Sequence, residues 1–151
     1  MKAEYINPII NAVLNVSKNF VGDTITVGKP FIKESPQHFN NLIINIGITG
    51  NFKGQSILSF NEETIYEIAG KMMMTEINQI DEMVKSAINE YSNMIMGNAA
   101  TNFSQINKIF NISSPMIIEG NMKISSNNKF LGIPFCVGNK CFDFYISIEE
   151  K

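Results

Sequence analysis

Glu90 and Asn93 stand three residues apart in a segment that carries no proline and only one glycine between about Ile80 and Lys108. On a helix that spacing puts the two side chains one turn apart on the same face. An ionised Glu only accepts hydrogen bonds and is suited to pairing with a cation. An Asn amide both accepts and donates, so its carbonyl can take a hydrogen bond from water while its NH₂ braces against a neighbour. Together they offer a charged anchor and a neutral water-positioning group.

Turning about 100° per residue, the segment gathers Ile80, Val84, Ala87, Ile88, Tyr91, Met94, Ile95 and Ile106 into one broad apolar arc. The opposite arc holds Ser86, Asn89, Glu90, Asn93, Gly97, Ala100 and Ser104. A Glu and an Asn one turn apart also occur on helix faces that do no more than meet solvent. Here most of their neighbours are small: Ser86, Gly97, Ala100 and Ser104 stand where Lys and Glu are usual, so another molecule can approach the backbone closely. Gly97 in a helix interior costs up to about 1 kcal/mol relative to Ala, which hints at docking or packing.

The remaining chemistry-bearing residues are sparse. His38, the only histidine, follows Pro36 in a polar, loop-like stretch, and no Ser/His/Asp triad can use it unaided. Cys136 and Cys141 flank Gly138-Asn139-Lys140 and are expected to be reduced strand residues near each other across a hairpin. His and Cys match no zinc-ligand spacing, and the acidic residues show neither paired spacing nor a metal-ligand cluster. No metal site is expected.

The elements that must position the helix follow from pattern. Ile9, Ile10, Val13, Leu14 and Val16 predict a first helix over 6–20, stopping near Gly22-Asp23. Thr24–Val27 and Pro30–Ile32 read as a strand bent at Gly28. Residues 42–50 form the clearest strand, with Ile44, Ile46 and Ile48 facing one way, and turn at Gly50-Asn51 into a returning strand at Gly54–Phe60. Asn61 is an N-cap for a second helix with Glu62 and Glu63 in its first turn and Ile65, Ile68, Ala69, Met72 and Met73 buried, ending around Met74-Thr75. Beyond Phe110, residues 116–118, 130–137 and 141–148 read as strands, the last two a hairpin. Strands on either side of a helical middle predict an α+β domain, helices packed on an antiparallel β-sheet, with residues 1–151 forming a single domain.

The chain has 151 residues, 44% hydrophobic and 17% charged, a globular balance. A net charge of −2 and no run of Lys or Arg argue against a nucleic-acid partner. The opening residues lack the apolar core of a signal peptide, and no stretch approaches the roughly 18 apolar residues of a membrane span. A cytoplasmic protein without a membrane partner is expected.

The run Glu90-Tyr91-Ser92-Asn93-Met94-Ile95-Met96-Gly97-Asn98-Ala99 resembles the Glu-x-x-Asn helix of the CheC/CheX/FliY phosphatases, and its Asn-Met-Ile-x-Gly-Asn-Ala continuation resembles CheX. Ser86 and Pro115 fall where that family has a Ser or Asp and a proline. The resemblance extends to Ile6-Asn7-Pro8, Gly28-Lys29-Pro30-Phe31, a Gly54-containing strand ending in Ser59-Phe60, and Ile112-Ser113-Ser114-Pro115. Tyr91 and Met96 are bulkier than the family pattern, and Met96 is expected to border the docking face. CheC-like relatives carry two motifs; the first helix, read over 6–20, has Asn11 and Asn15 but no Glu-x-x-Asn, which implies one active site per chain.

The resemblance implies a phosphatase whose substrate is the phosphoaspartate of a CheY-like receiver protein, with Mg²⁺ supplied by the receiver and no cofactor of its own. Glu90 and Asn93 would be catalytic, Glu90 pairing with the receiver's active-site lysine and Asn93 positioning water. Ser86, Gly97 and Ala100 would line the partner-binding face. A homodimer joined through sheet edges is implied as well. The alternative is a module that binds a receiver or a flagellar-switch component without hydrolysing anything.

Overall fold

The computed structural model describes residues 2–22, 25–34, 37–39 and 42–151. Three helices and ten strands follow one another in the described residues: α1 (Ala3–Phe20), β1 (Ile25–Val27), β2 (Phe31–Lys33), β3 (Gln37–Phe39), β4 (Leu42–Gly50), β5 (Phe52–Phe60), α2 (Glu62–Met73), α3 (Glu82–Ser104), β6 (Phe110–Ile112), β7 (Met116–Glu119), β8 (Met122–Ile124), β9 (Phe130–Val137) and β10 (Lys140–Glu150). The expected Asp23 turn, the strand start at Thr24, and Pro36 lie outside the described residues.

Eight strands make one sheet in the order β1-β9-β10-β5-β4-β6, with β2 also on β9 and β7 also on β4; β3 and β8 form a separate ribbon. Every pairing is antiparallel. The α+β reading therefore holds.

Alternation decides which side chains meet the helices. Ile44, Ile46 and Ile48 of β4, Leu58 and Phe60 of β5, and Phe142, Phe144 and Ile146 of β10 pack with all three helices in one core. The other face holds Ile43, Ile57, Phe130 and Tyr145, against which Met122 and Ile124 of β8 pack. At Gly54 the strands approach so closely that a Cβ would sit 1.9 Å from the Ser147 carbonyl oxygen of β10, so this pairing needs glycine.

Four expectations are corrected. The first helix starts at Ala3 instead of residue 6, so it includes Glu4 and Asn7, both exposed and in the Glu-x-x-Asn spacing that the shorter helix lacked. His38 lies in a strand, opposite Lys123, because β8 supplies a partner that the polar local sequence does not reveal. Cys136 and Cys141 are joined in a disulfide, since the β9–β10 register sets them directly opposite each other with Cα atoms 4.0 Å apart. The third helix runs only from Glu82 to Ser104, so Ile106 falls beyond its end and is 41% exposed rather than part of the core.

Candidate active site

Helix α3 is fixed at both ends and along both sides. Asp81 caps it, its Oδ1 accepting from the Val84 amide at 2.9 Å. Lys85 pairs with Glu82 at 3.2 Å and with Glu119 of β7 at 3.0 Å, tying the first turns to the sheet edge. Hydrogen bonds to Glu119 and Glu82 hold the Lys85 ammonium above the ordinary lysine pKa.

Along the α1 side, the Tyr91 hydroxyl lies 2.6 Å from Ser17 Oγ in a buried contact, and Asn102 Nδ2 donates to the Pro8 carbonyl at 2.9 Å. Burial pushes the Tyr91 phenol well above its usual range, although the Ser17 bond acts in the opposite direction. At the C-terminal end Phe103 stacks on Phe110 of β6 with ring centres 4.5 Å apart. Such contacts leave the outward face a rigid platform.

The buried residues of α3 are Val84, Ile88, Tyr91, Ser92, Ile95, Met96, Ala99 and Phe103. Compared with the arc read from sequence, the core is rotated toward Ser92, Met96 and Ala99. Ser92 hid this rotation because its polarity marks it for solvent, yet its hydroxyl donates to the Ile88 carbonyl at 2.9 Å and so keeps a partner when buried. Met96, four residues further on, shares that side of the helix and is fully buried. It does not border the docking face.

The five site residues read from the motif lie where solvent or a partner reaches them. Ser86, Glu90 and Gly97 are exposed; Asn93 and Ala100 are half-buried. A Cβ added at Gly97 would find nothing within 4 Å, so the helix backbone is bare there. Neither Glu90 nor Asn93 forms a hydrogen bond or ion pair among the described residues, which leaves both free for an incoming partner.

Sequence reasoning missed Met83, which is 68% exposed. Met83, Glu90 and Gly97 recur every seven residues, and that spacing sets them on nearly one line along the helix. Met83 is the one large apolar side chain on that line, at its N-terminal end.

The loop after β6 carries Pro115. It is held to β4 by a reciprocal pair: Gly47 N–H donates to Ser113 Oγ at 2.8 Å, and Ser113 N–H donates to the Gly47 carbonyl at 2.9 Å.

Two open clefts lie elsewhere. One of about 430 Å³ between α2 and the β9–β10 turn is lined by Glu63, Tyr66, Lys71 and Lys140, among others. The other, about 550 Å³, lies at the C-terminal end of α3 and meets the small-residue face at Ala100 and Ser104. Glu90 and Asn93 line neither; with Glu90 exposed, Asn93 half-buried and the backbone bare at Gly97, the pair stands on an outward helical ridge. A ridge fits a substrate that brings its own cleft better than it fits a small molecule needing enclosure. Among the described residues no three His, Cys, Asp or Glu side chains group to hold a metal ion, and no helix is long and apolar enough to cross a membrane.

Comparison with known proteins places this architecture. A crystal structure of a CheC-like superfamily protein from Shewanella sp. PV-4 superposes with a TM-score of 0.88 at 29% identity, covering 99% of each chain. The fold is thus that of the CheC-like superfamily. Residues 42–136 match the family described as chemotaxis phosphatase CheX. The CheY-P phosphatase CheX of Thermotoga maritima is 32% identical over 153 residues, 99% of each chain. A complex of CheX with CheY, BeF₃ and Mg²⁺ from Borrelia burgdorferi is similar in its fold, with a TM-score of 0.83 and 28% identity over 97% of this chain and 98% of that one. The chain belongs to the CheX family of chemotaxis phosphatases.

Proposed function

We propose that this chain removes phosphate from the phosphoaspartate of a CheY-like receiver protein, with Asn93 positioning the attacking water and Glu90 pairing with a cation of the receiver. The observation that carries the reading is the unpaired Glu90 and Asn93 on a bare, rigidly mounted helix face, in a chain whose relatives include a CheY-P phosphatase. Ser86, Gly97 and Ala100 leave room for the receiver's cleft to close over the ridge.

Phosphoryl transfer passes through a loose transition state that asks for little deprotonation of the nucleophile, so orienting water in line is a large share of catalysis. The Asn93 carbonyl accepts a hydrogen bond from that water. Water attacks phosphorus, the bond to the aspartyl oxygen breaks, and the receiver's carboxylate leaves as inorganic phosphate forms. Mg²⁺ comes with the receiver, where it neutralises charge on the phosphoryl oxygens. The chain works in the cytoplasm, residues 1–151 acting as one phosphatase domain.

It also works as a homodimer joined at sheet edges. The β6–β7 edge supports this: Met116 is 60% exposed on a strand whose far side has no partner among the described residues. The solution mass should stay near twice 16.9 kDa across a wide concentration range; a monomer throughout would remove the dimer.

Incubating the purified chain with each phosphorylated receiver of the same cell tests the reaction. Accelerated phosphate release from at least one receiver is expected, in Mg²⁺ and at catalytic amounts of the chain. Stoichiometric binding without acceleration would favour the non-catalytic module instead.

A further inference from the structure

Asn89 Oδ1 is the one buried side-chain polar atom without a hydrogen-bond partner among the described residues. An unmet buried acceptor lowers stability, so its persistence calls for an explanation. Asn89 precedes Asn93 by four residues, one turn along α3 on the same side of the helix. Because the oxygen is sealed from solvent, a receiver cannot reach it directly. A side chain of this chain one turn away can reach it.

The neighbouring donors on α3 narrow to one. Lys85 Nζ is drawn to Glu82 and Glu119 and, although an ammonium has a third N–H, makes no hydrogen bond to Asn89. The Ser92 hydroxyl donates to Ile88. Ser86 is exposed, whereas Asn93 is half-buried and its NH₂ has no partner. Amide pairs at this spacing interact along a helix.

We propose that Asn89 is a positioning residue for Asn93: when a receiver docks, the Asn93 NH₂ donates to Asn89 Oδ1, and the Asn93 carbonyl is thereby held outward as the acceptor for water. Catalytic hydrogen bonds are often unmade in a free enzyme and tighten in the complex. Docking presses the Asn93 side chain toward the helix and closes this one. The inference rests on the reading of Asn93 as the water-positioning group.

The test compares wild type, Asn89→Ala, Asn93→Ala and the double variant in receiver phosphate decay at several concentrations of the chain. Asn89→Ala should slow maximal turnover about tenfold, the scale of a single hydrogen bond, with half-saturation unchanged. The double variant should be no slower than Asn93→Ala alone. The melting temperature should not fall, since the change removes an unmet polar atom. Asn89→Leu, which keeps bulk but has no acceptor, should show the same turnover loss and guards against an effect of lost packing.

Turnover at the wild-type level in both Asn89 variants, a loss that tracks a lowered melt, or a double variant slower than Asn93→Ala by the full Asn89 factor would each overturn the proposal. If Asn93→Ala itself turns over normally, the reading of Asn93 fails and this inference falls with it; a defective Asn93→Ala beside a normal Asn89→Ala sinks the inference alone.

Discussion

Ser17 of α1 and Tyr91 of α3 meet through their hydroxyls at 2.6 Å in a site closed to solvent. Tyr91 immediately follows Glu90, so the bond that fixes its ring also fixes the rotation of the helix bearing Glu90. Its ring adds an edge contact to Phe142, with centres 6.0 Å apart.

Tyr91→Phe keeps the ring and strands the Ser17 hydroxyl. The loss should be about 1–2 kcal/mol, which for a chain of this size lowers the melting temperature by roughly 2–8 °C. Urea unfolding is the check, and a midpoint equal to wild type would mean that the bond adds nothing. Turnover per folded molecule should change little, because the ring still packs in place.

Much of this framework was legible in the sequence. Ile44, Ile46 and Ile48 alternate, and all three are buried in the core beneath the helices. Asn61 was legible as a cap and accepts from the Thr64 amide at 2.9 Å. What pattern cannot supply is partnership at a distance. His38 sits in a strand only because β8, more than eighty residues later, pairs with it. The rotation of α3 depends on Ser92 satisfying itself locally, and the Cys136–Cys141 bond depends on register rather than composition. Of the candidate site, the spacing of Glu90, Asn93 and their small neighbours on one helix face was legible; Met83 and the unmet Asn89 oxygen emerge only once burial is known.

Glu150 closes the sheet's last strand onto α1. Its carboxylate accepts from Lys108 Nζ at 2.7 Å and from the Tyr5 hydroxyl at 2.8 Å. Lys108 first and Tyr5 second lower its pKa from 4.5 to about 2. A depressed folded-state pKa contributes stability that is complete above the unfolded value and is lost as pH falls through the folded one. Glu150→Gln should therefore lower the melting temperature near neutral pH and narrow its gap to wild type between about pH 4.5 and 2. Parallel acid melts test this; a gap that does not shrink on acidification would disconnect Glu150 from the acid response.

The disulfide closes a short loop between residues 136 and 141. Thiol titration of the unfolded protein should find no free thiol before reduction and two afterwards, because no other cysteine is present. Reduction should cost up to about 2 kcal/mol, the chain-entropy scale for so small a loop. The hairpin should persist, since β9 and β10 remain paired from Phe142 to Ile146. Two reactive thiols in the untreated protein would restore the reduced state expected from composition.

The division of labour between Glu90 and Asn93 makes opposite demands on binding and rate. If Asn93 acts on water and makes little contact in the docked ground state, Asn93→Ala should cut dephosphorylation by roughly 10²-fold or more, in line with other preorganised polar groups, while receiver binding changes modestly. Glu90 stands exposed, so the proposed ion pair with the receiver would form near the rim of the interface and be screened by salt. Glu90→Ala should weaken both binding and turnover, and its deficit should shrink as salt is raised. Neither side chain has a hydrogen bond or ion pair to lose within the chain, so neither change should move the melt by more than a few degrees. Receiver phosphate decay, binding titrations at two salt concentrations and thermal melts on the same preparations separate these effects. A folded Asn93→Ala protein with wild-type turnover would end the water-positioning role; a Glu90→Ala deficit indifferent to salt would end the ion pair. Loss of activity together with unfolding would assign the residues to the fold instead, against the exposure that their helix face gives them.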